Sequence, residues 1–302
     1  MECRRIVSVG PLPRWVIDDF FSEFNICNVT DHVREEVISI LDPKVIAIVS
    51  RGPVLIDMEI LKLVPHLRAI ARTGVGLDTV DLDAASSLNI PVLYTPGAMS
   101  RSVAEHTISL ILAAAKNIFS WHRRVLEGEW QTRDRDRNME LQGKTLGIVG
   151  FGRIGTEVCK LLEPFKMNIL IHDPYLDLSN LPFNGLRFTD LEELLSLSDV
   201  VTLHVPLNSE TRGLINDNNI SKFKHGAILV NTARGPIVKN YDILHNALNS
   251  GQLKSVALDT LIVEPPDLDH PIFSHPQLIL SAHVAARTNT AQRQILKTSG
   301  QD

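Results

Sequence analysis

The chain has 302 residues, which at about 150 residues per domain argues for two domains, each able to bury a core without disulfide or metal staples. Its formal charge is −5, from 30 basic and 35 acidic residues, and the basic residues are dispersed except for a mixed-sign run at 133–137, which argues against nucleic acid or an anionic membrane as partner. A composition of 44% hydrophobic and 22% charged residues is that of a folded globular protein rather than a disordered one. Three scattered cysteines, Cys3, Cys27 and Cys159, have no C-x-x-C spacing, offer no metal framework and suit a reducing compartment. The apolar stretch after Arg4-Arg5 is broken early by Gly10, Pro11 and Pro13, and the longest apolar run, 108–115, is far shorter than the roughly 20 residues of a bilayer span. A cytoplasmic protein is expected.

In chain order, β-branched runs at 6–9, 26–29, 45–49, 67–71 and 92–94 alternate with helical patterns. This is the rhythm of parallel βα units, so the first third predicts a small doubly wound α/β domain. A long helix is predicted over 102–120, opened by the capping box Ser102-x-x-Glu105 and continued by Ala104, Ile108, Ile111, Ala115 and Ile118. A second series of strands follows at 145–149, 167–171, 200–205, 227–231, 256–258 and 278–281. Six strands with intervening helices suffice for a dinucleotide-binding sheet.

The strongest motif lies at the first strand of that second series. Gly150-Phe151-Gly152-Arg153-Ile154-Gly155 is a G-x-G-x-x-G between a buried strand and a helical pattern. Gly150 permits the tight turn, Gly152 lets backbone N–H groups approach a pyrophosphate, and Gly155 allows close helix–strand packing. Asp173 ends the next apolar strand, eighteen residues past Gly155, where a carboxylate accepts both ribose hydroxyls and repels a 2′-phosphate. No arginine follows it, so NAD is favoured over NADP.

Ligand sites in such sheets lie just past the carboxyl ends of strands, which narrows the eleven histidines and the many charges to His204, Arg234, Asp259 and His283. Arg234, in Asn231-Thr232-Ala233-Arg234-Gly235, offers a planar fork for a carboxylate. His283 suits proton exchange, and Glu264 is the acid to pair with it, because a carboxylate on an imidazole orients it and favours its protonated form. Taken singly, Arg234 also suits a surface salt bridge, Glu264 a solvated loop acid and His283 a satisfied buried histidine. Arg51, after the third strand, suits either a distal anionic group of a substrate or plain solvent. His270-Pro271 and His275-Pro276 lack a metal-ligand pattern, and no metal is expected.

Several ordered motifs together resemble the D-isomer-specific 2-hydroxyacid dehydrogenases, a family that includes phosphoglycerate, glycerate, glyoxylate/hydroxypyruvate and D-lactate enzymes. They are RTGVGLDTVDLDAA from Arg72, SVAEHT from Ser102, GKTLGIVGFGRIG from Gly143, HVPLNSETRGLI from His204, NTARGPIV from Asn231, the segment from Leu258 to Pro265, and AHVA from Ala282. The resemblance spans roughly residues 40–295. It implies two doubly wound parallel-sheet domains: a flavodoxin-like substrate domain over 1–97 plus 286–302, and an NAD-binding Rossmann domain over 98–285. It further implies an NAD-dependent oxidoreductase that interconverts a small 2-keto acid and the D-2-hydroxy acid, in a cleft that closes around the carbonyl.

By the same resemblance His283 is the acid and base, Glu264 orients it, and Arg234 binds the substrate carboxylate, with Gly74, Val75 and Gly76 supplying backbone amides to it. Cofactor contacts are implied at Thr107, Gly150, Gly152, Arg153, Ile154, Gly155, Asp173, His204, Val205, Pro206, Thr211, Thr232, Ala233, Asp259 and His283. Asp259 is implied to bond the nicotinamide carboxamide, and a homodimer is implied. The sequence departs from the family pattern at Ala282, Ala286 and Lys239-Asn240, and it ends nineteen residues past His283, where the family runs a longer helix, so either the sequence is truncated or the return helix is short. Two other readings share the fold: an NAD(H)-sensing protein like the C-terminal-binding-protein corepressors, and a dehydrogenase of a small anion such as formate or phosphite.

Overall fold

A computed structural model describes residues 4–30, 33–134, 137–176 and 186–301. Cys3 and part of the 133–137 run lie outside them. The chain divides into two compact units, one of Met1–Met99 with Arg287–Asp302 and one of Ser100–Ala286.

The first unit is built on five parallel strands, β1 (Arg5–Val9), β2 (Asn25–Val29), β3 (Val45–Ser50), β4 (Ala69–Arg72) and β5 (Val92–Tyr94), in the order β2-β1-β3-β4-β5. Helices α1 (Arg14–Phe20), α2 (Arg34–Ile40), α3 (Met58–Lys62) and α4 (Leu82–Ser87) connect them. Asp57 and Asp81 start α3 and α4 by accepting the Ile60 and Ala84 N–H groups at 3.1 and 2.9 Å. Val7, Ile48, Ile56, Ile60 and Ile70 are fully buried on one side of this sheet. On the other side Ile6, Leu12, Val16 and Val49 pack with Leu296 of the final helix α10 (Asn289–Gln301). The short remainder past His283 therefore does form a helix. The strand order reverses direction at β1 and β3, so the crevice of this unit lies past Val9 and Ser50.

The second unit opens with α5 (Ser100–Ala115) and α6 (Ile118–Leu126). The single helix expected over 102–120 is broken at Asn117, whose backbone is left-handed at φ 53°. Asparagine tolerates that conformation, and its side chain is anchored to Asn138 Oδ1 at 3.1 Å. Seven parallel strands follow: β6 (Thr145–Val149), β7 (Asn168–His172), β8 (Arg187–Phe188), β9 (Val200–Leu203), β10 (Ala227–Asn231), β11 (Leu253–Leu258) and β12 (Leu278–Leu280). Their order is β12-β11-β10-β9-β6-β7-β8, with α7 (Arg153–Leu162), α8 (Leu191–Leu197) and α9 (Tyr241–Asn249) among the connections. β8, a two-residue edge strand, adds to the six expected. β9 ends two residues before the expected 205 because Pro206 has no N–H to continue a ladder.

Ile148, Val200, Ile228, Val230 and Ala257 face one core cluster and Val201, Leu203, Leu229 and Val256 another, so this sheet is buried on both faces as parallel sheets are. The strand order reverses at β6 and β9, which puts the glycine motif and His204 at the crevice. Among the described residues no helix is long and apolar enough to cross a membrane.

Candidate active site and cofactor cradle

Each glycine of the fingerprint meets a different physical demand. Gly150 has φ +91°, and a Cβ there would lie 2.8 Å from the His204 carbonyl carbon. At Gly155 a Cβ would lie 2.3 Å from the Gly150 carbonyl oxygen, so α7 can approach β6 only with glycine at that point. At Gly152 nothing in the protein would meet a Cβ within 4 Å. No packing demand requires glycine there; the open space above it leads to the start of α7, whose N-terminus has no side-chain cap. Uncapped first-turn N–H groups and the positive end of the helix dipole suit an anion, so the cradle fits a dinucleotide pyrophosphate. Arg153, exposed, and Ile154, half-buried, occupy the first two helical positions beside it.

Asp173 is fixed relative to that cradle. Its Oδ2 accepts the Phe151 N–H at 2.8 Å and its Oδ1 the Tyr175 N–H at 3.0 Å, which orients the carboxylate and leaves each oxygen a lone pair for a ribose hydroxyl. On the opposite side of β6, the His204 N–H bonds the Val149 carbonyl at 2.7 Å. The His204 imidazole turns inward to Thr202 Oγ1 at 3.0 Å, and burial pulls its pKa down to about 3. His204 is thus a neutral structural histidine whose backbone borders the cradle. Val205 packs against the core while Pro206 is exposed, and Thr211 closes the following turn by bonding the Pro206 carbonyl at 2.5 Å.

The groups suited to proton exchange stand at the ends of β10, β11 and β12. After β10, the Asn231 side chain accepts the Ala233 N–H at 3.0 Å and donates to the Arg234 carbonyl at 2.8 Å, shaping the Arg234 loop. Thr232 beneath it is joined to buried Thr107 of α5 by a 2.9 Å hydroxyl pair. At Gly235 a Cβ would lie 2.0 Å from the Leu261 carbonyl group, so the Arg234 loop is pressed against the loop that carries Glu264. Glu264 Oε1 accepts the Leu261 N–H and Oε2 meets His283 Nδ1, both at 2.8 Å. Burial pushes the Glu264 carboxyl up, but the bonds from His283 and Leu261 and the charges of His283 and Arg234 outweigh it, leaving it below the usual glutamate range. Glu264 is a carboxylate at neutral pH. His283 is half-exposed, and its Nε2 has no protein partner among the described residues.

Asp259 directly follows β11. Its side chain is closed to solvent, and its oxygens receive Ser281 Oγ at 2.6 Å, the Val284 N–H at 2.9 Å and the Ala285 N–H at 3.1 Å. These bonds hold the turn around His283. His106 and Ser281, which complete this network, were not among the expected residues; they meet across 175 positions of sequence, and no local spacing signals such a pair.

In the first unit, Arg51 lies at the crevice past β3, with its N–H on the Val9 carbonyl at 2.9 Å and its guanidinium donating to the Pro11 carbonyl. Burial, and secondarily the charge of Arg287, pulls its pKa below the ordinary arginine value. On neighbouring β4, Arg72 bonds the Ser50 and Gly76 carbonyls at 3.0 Å each and ties the ends of the two strands together. The Gly74 carbonyl accepts the Thr95 N–H at 3.2 Å, and Gly74 has φ +147°, which shapes the Gly74-Val75-Gly76 loop.

Residues 108–285 match the family model described as D-isomer specific 2-hydroxyacid dehydrogenase, NAD binding domain. The chain is 40% identical over 259 residues to a D-3-phosphoglycerate dehydrogenase of Archaeoglobus fulgidus, covering 86% of this chain and 49% of that one, so it spans about half the length of that relative. It is 37% identical over 268 residues to a hydroxypyruvate reductase of Thermotoga maritima, covering 88% of this chain and 86% of the relative. Among solved structures, a D-lactate dehydrogenase from Aquifex aeolicus complexed with NAD and lactic acid superposes with a TM-score of 0.88 at 28% identity, covering 98% of this chain and 93% of that one.

Proposed function

Because the chain belongs to the D-isomer-specific 2-hydroxyacid dehydrogenase family, we propose that it interconverts a small 2-keto acid and the corresponding D-2-hydroxy acid with NAD. The observation that carries this reading is the 2.8 Å bond between His283 Nδ1 and Glu264 Oε2, on a loop pressed against the one bearing Arg234. Bound NAD supplies hydride chemistry at the carbonyl carbon. The protein supplies the rest. The backbone at Gly150, Gly152, Arg153, Ile154 and Gly155 seats the pyrophosphate, and Asp173 takes the ribose hydroxyls. Thr107, Val205, Pro206, Thr211, Thr232 and Ala233 border the remainder of the slot.

Arg234 binds the substrate carboxylate with its fork and polarises the neighbouring carbonyl. His283 donates its Nε2 proton to the oxygen on which charge develops, and takes it back in the reverse direction. Glu264 accepts from Nδ1, which fixes the imidazole as the Nδ1–H form and leaves Nε2 for the substrate. Within the first unit, the Gly74-Val75-Gly76 loop offers backbone amides suited to a carboxylate, and Arg51 favours a substrate with a distal anionic group. The test is a steady-state panel of 2-keto acids, including glyoxylate and hydroxypyruvate, with NADH. Turnover is expected for at least one of them. Tight NADH binding without turnover on any member would favour the sensor reading instead.

The Asp173 geometry sets the cofactor preference. Replacing Asp173 by alanine removes two charge-assisted bonds to the ribose, so the NADH over NADPH preference in kcat/KM is expected to fall by about tenfold or more. An unchanged ratio would contradict the assignment.

We further propose a homodimer joined through α6. Ile118, Phe119, Val125 and Leu126 of that helix and nearby Trp130 are exposed large apolar residues along one short segment, an arrangement that favours an isologous contact. Sedimentation velocity is expected to give twice the chain mass, and the double variant Phe119→Lys, Leu126→Lys to give the monomer. A wild-type monomer would refute this.

A further inference from the structure

Two residues outside every assignment above grip the loop that carries His283. Its backbone is left-handed, with φ +52°, a region uncommon for non-glycine residues, and a set of bonds from its surroundings holds it there. The restraint is an unusually complete set of bonds to Asp259. The Asp259 carbonyl accepts the His283 N–H at 2.7 Å, and its carboxylate accepts the Val284 and Ala285 N–H groups. Ser281, just before the turn, donates its hydroxyl to Asp259 Oδ1 at 2.6 Å. The same hydroxyl lies 2.9 Å from His106 Nε2, which also stands 3.3 Å from Asp259 Oδ1.

The directions of these bonds follow from the chemistry. The Ser281 hydroxyl has one proton, and a fully buried carboxylate needs it. His106 therefore faces the hydroxyl oxygen with a protonated Nε2 and donates. Burial pushes the Asp259 carboxyl up, yet the bonds from His106, Ser281, Val284 and Ala285 outweigh it and pull its pKa down to about 2. The carboxylate keeps its charge, and with it the strength of the grip on the turn.

The helix supplies the fixed point. Ser102 and His106 are one turn apart on α5 and so share a face. Ser102 donates to the Ala285 carbonyl at 2.6 Å, while His106 reaches Ser281, so one helix face holds both ends of the His283 loop. Thr107, adjacent on the same helix, bonds Thr232 below the Arg234 loop. α5 braces the proton donor and the carboxylate-binding arginine from a common rigid element.

We propose that His106 is a positioning residue for His283, acting through Ser281 and Asp259 to hold the left-handed turn that aims the His283 imidazole at Glu264. The inference rests on the reading of His283 as the acid, but its test does not depend on turnover alone. His106→Phe keeps a ring of similar size without a donor, and His106→Gln keeps a donor close to the Nε2 position. Nitrogen-labelled histidine spectra of the free protein report whether His283 stays in the single Nδ1–H form that the Glu264 bond imposes.

In His106→Phe that single form is expected to give way to a tautomer mixture, with kcat lowered by about tenfold to a hundredfold and KM changed by less than about threefold, as a misplaced catalytic group requires. His106→Gln is expected to restore the wild-type spectrum and most of kcat. If His106→Phe fails to fold, Ser281→Ala, which removes the middle hydroxyl, is expected to give the same spectral change. A folded His106→Phe or Ser281→Ala protein with lowered Tm but an unchanged His283 spectrum would overturn the proposal, leaving His106 a purely structural residue. If the wild-type protein turned over no 2-keto acid, the functional reading would fail, while the His283 spectra would still decide the positioning role.

Discussion

Replacing His283 by alanine is expected to lower kcat for 2-keto acid reduction by about 10²–10⁴-fold, the usual worth of a positioned general acid. NADH affinity, measured by fluorescence titration, should stay within a few-fold of wild type, because the cradle at Gly150, Gly152 and Gly155 and the Asp173 carboxylate do not touch this side chain. Nε2 is the one imidazole nitrogen left for a substrate, since Nδ1 is held by Glu264 at 2.8 Å. The fold should be little disturbed, because the turn is held by backbone bonds from His283, Val284 and Ala285 to Asp259. A kcat within tenfold of wild type would mean that the proton comes from elsewhere.

Replacing Arg234 by glutamine is expected to lower kcat/KM by about 10²–10⁴-fold, since two charge-assisted bonds of about 1.5–3 kcal/mol each are removed from the bound carboxylate. Lysine at this position keeps the charge but loses the planar fork, so Arg234→Lys should recover only part of the loss. The loop itself should survive, because Asn231 shapes it through the backbone at Ala233 and Arg234, and Gly235 packs against Leu261. The pH dependence separates the two substitutions. Arg234→Lys keeps the charge beside Glu264 and should keep the wild-type pH profile at lower amplitude, whereas Arg234→Gln removes it and should move the acid limb upward, because the Arg234 charge helps hold the Glu264 carboxyl low. An Arg234→Gln enzyme with unchanged KM and kcat would remove arginine from the substrate site.

Much of this was legible in the sequence, for identifiable reasons. Buried parallel strands are short apolar runs, so most of both sheets could be read directly. β8 escaped because two residues carry no periodicity. The break at Asn117 escaped because the apolar spacing continues across it from Ala115 to Ile118, and only the left-handed backbone at Asn117 separates α5 from α6. The glycine fingerprint could be read in full, and the structure refines it: Gly150 and Gly155 are demanded by close contacts, Gly152 by none.

Arg234 and His283 stand out in the sequence because they end strands, where ligands bind in such folds, and Glu264 as the acid to pair with His283. His106 and Ser281 act through hydrogen bonds between residues 175 positions apart, and nothing in local spacing signals such a pair. Asp259 was found by the same strand-end rule, but only its burial and its partners show which way it faces.

The most direct measurement of the central claim follows the hydride and the configuration together. The protein is incubated with a 2-keto acid accepted in the panel and NADH deuterated on the transferring face of the nicotinamide ring, and the product is analysed by chiral chromatography with mass detection. The account predicts a D-2-hydroxy acid bearing one deuterium on the carbon beside the carboxylate, formed at a rate that collapses in the His283→Ala protein. A product of L configuration, a product without deuterium, or undiminished transfer by His283→Ala would contradict it.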